Sequence, residues 1–168
     1  MEHGQSWPPI ESSLAVTCCQ RQIVQRDERR CVTIEFANVY PTGLHVRMEA
    51  RFRDAVSLEE QKTIAAQWAF QQSEDSRPSL KLRSGHQHVT AHVLNSTTSG
   101  GLLKADLWAP LDTGSVTRDL ELEFNWPAQR IASTTRIQTS HLEIARERWE
   151  KLWPTLQAGG YFVSNSLE

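Results

Sequence analysis

Cysteine, phosphate-binding glycine loops, long apolar runs and net charge are all scarce in this sequence, and each scarcity removes a class of function. There are three cysteines, Cys18, Cys19 and Cys31. An odd number, two of them adjacent, forms neither a CxxC metal knuckle nor a disulfide framework. The expectation is a reduced, cytoplasmic protein with small, mostly buried thiols. No apolar stretch approaches the roughly 18 residues that span a bilayer. The opening MEHGQSWPPIESS lacks the basic-then-apolar order of a signal peptide. Net charge is −2 with a pI near 6.3, so nothing draws the whole molecule to nucleic acid or an anionic membrane. P-loop, GxGxxG, HExxH and GxSxG signatures are missing, so no cofactor is implied and a non-enzymatic protein is the leading reading.

What is present is strand pattern. With 168 residues, 39% hydrophobic and 23% charged, the chain suits one globular domain with a real core. Residues 1–13, with Trp7-Pro8-Pro9, read as an extended arm, 14–154 as the domain, and 155–168 as a tail whose Leu167-Glu168 resembles a cloning-site remnant. LAVTCCQRQIVQ is β-branched and free of turn formers. In CVTIEFANVY, alternation places Val32, Ile34 and Phe36 on one face and Thr33 and Glu35 on the other. After the turn signal Pro41-Thr42-Gly43, Leu44, Val46, Met48, Ala50 and Phe52 alternate with His45, Arg47, Glu49, Arg51 and Arg53. SLKLRSG, QHVTAHVLN, GLLKADLWAPL, RDLELEFNWP and RIASTTRIQTS continue the series.

Two segments break the β rhythm. Ser57 and Glu60 make a capping box, and Leu58, Ile64, Ala65 and Trp68 fit a helical stripe near 57–70, although TIAAQWAF by itself also fits a buried strand. Over 141–153, Leu142, Ala145, Trp149, Leu152 and Trp153 form the apolar stripe of an amphipathic helix, with Ser140 and Glu143 as its capping box. The expected fold is all-β: an antiparallel, immunoglobulin-like sandwich of seven or eight strands closed by that C-terminal helix. "Immunoglobulin-like" describes the architecture alone, because the Cys–Trp–Cys core of antibody domains is absent.

Candidate chemistry centres on GHQHVTAH. Read as one strand, it points His86, His88, Thr90 and His92 to the same face. Histidines at i and i+2 lie about 7 Å apart and can share a metal, with His45, Asp106 or Glu121 as third ligand. The competing reading is a solvent-facing polar face behind core-facing Val89, Ala91 and Val93, and it leads. Six tryptophans raise a second possibility, stacking on a sugar or another small ligand. Parity puts Trp126 in the core and Trp108 beside Lys104 and Asp106 on the opposite face, unless a bulge near Pro110 turns it inwards. Trp108 is therefore the ligand candidate, with Trp68 and Trp7 as further binding candidates. The third possibility, and the preferred one, is docking to a protein partner or a second copy through edge strands, the 57–70 segment or the WPP arm.

LWAPL (107–111), EFNWPAQRI (123–131), RWEKLWP (148–154) and FANVYPTGLHVRMEARFR (36–53) together resemble a family of uncharacterised actinobacterial β-sandwich proteins with Trp-Pro at strand and helix ends. The resemblance runs through residues 36–53 and 101–154, somewhat under half of the chain. Residues 54–100 depart from that family, which carries a Gly-Arg-rich loop and an Asp-Gly hairpin there. The resemblance implies the sandwich and no chemistry.

Overall fold

The computed structural model describes residues 16–40, 42–53, 57–70 and 72–152, with side chains to 148. The arm, the tail, Trp7 and Trp153 lie outside the described residues, as does the side chain of Trp149. Two antiparallel sheets enclose one hydrophobic core. Sheet A orders β1 (Val16–Arg26), β2 (Arg30–Tyr40), β3 (Gly43–Phe52), β7 (Leu102–Pro110) and β6 (His92–Ser99). Sheet B orders β5 (Gln87–Thr90), β4 (Ser79–Ser84), β8 (Leu120–Trp126) and β9 (Ile131–Ile137). No helix among the described residues is long and apolar enough to cross a membrane.

The all-β sandwich stands, with nine strands among the described residues where seven or eight were expected. Its connectivity differs from that of an immunoglobulin domain, where the second and third strands lie in different sheets. Here β1, β2 and β3 form one meander. Period-two alternation builds both sheets. Val46, Met48 and Ala50 of β3 and Leu103, Ala105 and Leu107 of β7 meet Leu80, Leu82, Leu120, Leu122 and Phe124 of sheet B. In β2 the alternation slips. A bulge between Ile34 and Phe36 inserts one residue, so Ala37 and Val39 turn inwards and Phe36 pairs with outward-facing Arg47. The expectation that Phe36 shares a face with Val32 and Ile34 is thereby corrected.

The 57–70 segment is helical. Helix α1 (Leu58–Trp68) is capped by Ser57, whose hydroxyl accepts from the Glu60 N–H. Ile64, Gln67 and Trp68 face inwards, whereas Leu58 is 66% exposed. The Trp68 ring lies 5.2 Å from that of Trp126, centroid to centroid, and Gln67 Oε1 accepts from Trp126 Nε1 at 3.2 Å and Gln129 Nε2 at 3.1 Å. The helix thus fastens one end of the sandwich.

Helix α2 (Thr139–Leu152) starts before Ser140. Its first N–H is taken by Asp119, whose carboxylate accepts from Thr139 N at 3.0 Å and Thr139 Oγ at 3.1 Å. The cap comes from the loop before β8 and replaces the expected Ser140–Glu143 box. Leu142 and Ala145 join the core, and α2 packs along β1 and β2.

Candidate functional site

The histidine-rich segment does not form one strand. Ser84 pairs with Gln87, so Gly85 and His86 make a two-residue hairpin turn, with Gly85 at φ +58° in the first central position. His88 lies on the exposed face of β5 in sheet B. The chain then crosses at Ala91, whose N–H donates to Leu80 O at 2.9 Å, and His92 opens β6 in sheet A. The three imidazoles therefore belong to a turn and two different sheets. Alternation persists through the crossover because each sheet directs its odd and even residues independently. His45, Asp106 and Glu121 are not brought to them: His45 and Asp106 bond each other in sheet A, and Glu121 is tied to Arg83 and Arg136 in sheet B. Among the described residues no group of three or more His, Cys, Asp or Glu side chains is placed to hold a metal ion.

Trp108 does lie on the outer face of sheet A, as its parity requires, but only 3% of it is exposed. Its indole lies over Gly43, where a Cβ would sit 2.5 Å from the ring, and Tyr40 meets it edge-on at 5.5 Å. A buried ring offers no stacking platform, so Trp108 is a packing residue. Trp68, 1% exposed, is likewise part of the core. Around Trp108 the outer face is a closed network. Asp106 accepts from Arg47 at 2.8 and 3.0 Å and contacts His45 Nε2 at 3.0 Å. Arg47 in turn covers the Phe36 ring at 5.0 Å. Burial disfavours ionisation of Asp106, but its bonds to Arg47 and His45 outweigh it and hold the carboxyl below its ordinary range. Glu49 is buried between Arg51 and Lys104.

Cys18 and Cys19 are poorly suited to act as nucleophiles. Burial, reinforced by neighbouring Cys19, pushes Cys18 up to about 12, and burial also raises Cys19. Both are protonated at neutral pH, and the thiolate is the reactive species.

The sheet edges differ from one another. On one side of the sandwich β1 and β9 meet: Ser133 Oγ donates to Val24 O at 2.6 Å, and α2 lies along β1. On the other side β5 is four residues long and β6 eight. No side chain of β6 makes a hydrogen bond or ion pair among the described residues. Moreover, the twenty residues from Ser84 to Leu103, which contain both of these edges, include no Asp, Glu, Lys, Arg or Pro, in a chain that is 23% charged. Natural edge strands are usually protected by such residues, or by a bulge or a covering element. Among the described residues β5 is kept short and β6 carries a bulge between Val93 and Asn95. Sequence reasoning named edges in general and missed this one, although the charge-free run was there to be counted.

No protein-family model matches the chain, and no curated protein or solved structure is significantly similar to it.

Proposed function

We propose that the protein is a non-enzymatic binding module that accepts an extended polypeptide segment along β6. The observation that carries this reading is an eight-residue edge strand free of charge and proline, whose side chains make no hydrogen bond or ion pair among the described residues. Strand addition takes its affinity from main-chain hydrogen bonds and its selectivity from alternate side chains. A Ser- and Thr-rich edge suits an uncharged, β-branched partner segment, because Thr–Thr and Thr–Ser pairs are favourable across strands.

The test is titration with a fluorescent octapeptide of alternating Thr and Val, followed by anisotropy and by amide hydrogen exchange. Saturable binding that slows exchange across Asn95–Ser99, and that an N-methylated peptide fails to reproduce, is expected. Protection confined to β1 or β9, or equal binding of the N-methylated peptide, would sink the reading.

A further inference from the structure

Strand acceptors differ in what they accept, and the composition of this edge narrows the choice. We propose that β6 pairs with β6 of a second copy, antiparallel, about a two-fold axis at Thr97, joining two five-stranded sheets into one. The proposal rests on the edge-addition reading above and names the occupant.

Self-pairing about a two-fold sets a strand against its own sequence, so a charge at or near the axis meets its own copy. β1 carries Arg21 at its middle, where a central two-fold would set it against its own copy, and β9 carries Arg136 two residues from its middle. β6 has no Asp, Glu, Lys or Arg and is the long edge on which this penalty vanishes.

The register follows from the bulge. Between Val93 and Asn95 the ladder to β7 is interrupted, and from Asn95 to Ser99 it runs without a break. The middle of that regular run is Thr97. An antiparallel two-fold there sets Thr97 against Thr97, Ser96 against Thr98 and Asn95 against Ser99 of the second copy. Every pair joins side chains that both donate and accept hydrogen bonds. These are side chains that have no hydrogen-bond partner among the described residues.

The same geometry limits growth. An isologous contact uses the edge once and closes. The opposite edge of sheet A, β1, is engaged by α2 and by Ser133 of β9. Two copies then complete the assembly, and no fibre follows.

The experiment uses the full chain. Sedimentation velocity across a concentration series is expected to show a dimer. Thr97→Lys, an exposed position that leaves the core untouched, is expected to weaken it by about tenfold or more, with unchanged circular dichroism. Thr97→Cys is expected to give a disulfide-linked dimer under mild oxidation, while the wild type, with its three native cysteines, does not. A dimer indifferent to Thr97→Lys, or a wild type that stays monomeric, overturns the proposal. In a monomeric wild type, amide exchange across Asn95–Ser99 separates the two ideas. Rapid exchange of the outward amides leaves an acceptor for another protein and removes only the second copy; protection removes both.

Discussion

Replacing Gly43 by alanine tests whether the outer face of sheet A is packed as tightly as its geometry implies. Gly43 opens β3 opposite Pro110, directly after the turn from β2. An added Cβ would lie 2.4 Å from Ala109 O and 2.5 and 2.8 Å from two atoms of the Trp108 indole. Neither neighbour gives way easily. The carbonyl belongs to the strand paired with β3, and the ring is 3% exposed and braced by Tyr40. Overpacking a filled site costs about 1–3 kcal/mol. With a backbone atom and a rigid ring both in the way, the upper end, about 3 kcal/mol, is expected. For a chain of this length each kcal/mol lowers Tm by roughly 2–4 °C, so the loss should be about 6–12 °C. Urea denaturation of Gly43→Ala, Trp108→Leu and the double variant gives the coupling. Trimming the indole relieves two of the three close contacts, so the alanine should cost about 1 kcal/mol less in the Trp108→Leu background. A Gly43→Ala loss below about 1 kcal/mol, or strict additivity in the cycle, would refute the packing argument.

Gln67→Leu removes the acceptor shared by Trp126 and Gln129 and strands a buried indole N–H, so urea denaturation should show a loss of about 1–3 kcal/mol. The stabilisation that Asp106 provides has a defined pH window. Its carboxyl is held below the ordinary value, so its contribution is complete above about pH 5 and disappears as pH falls through the folded-state value. The stability gap between wild type and Asp106→Asn should therefore narrow as pH falls below about 4. A gap that widens on acidification contradicts the assigned ion pairs.

Strand alternation and capping chemistry carried most of the fold. The faces of β3, the Ser57 cap of α1 and the burial of Trp126 were all readable, because each depends on neighbours within a few positions. The failures have one physical origin. Alternation does not encode which sheet a residue belongs to, so GHQHVTAH read as a single strand although Ala91 carries it between sheets. Nor does it register an inserted residue, which is how the bulge moved Phe36 to the other face. Parity places Trp108 on the correct face but leaves its exposure undecided; its burial depends on a glycine across the ladder, visible only once β3 and β7 are paired. The cap of α2 was illegible for the same reason, since Asp119 is twenty positions away.

The place of β3 in sheet A has a consequence for how the chain is made. β3 is central in the finished sheet, yet its second neighbour begins only at Leu102, long after β3 has ended at Phe52. Pairing of such remote segments is slow, because loop closure precedes its reward. During synthesis the β1–β3 meander therefore exists for a time with β3 as a temporary border. Arg47 and Glu49, which pair with Asp106 and Lys104 once β7 arrives, stand along that border with Arg51 while it is open. Charge on an unfinished edge discourages pairing with a neighbouring nascent chain. The residues that lock the completed sheet thus also guard it before completion.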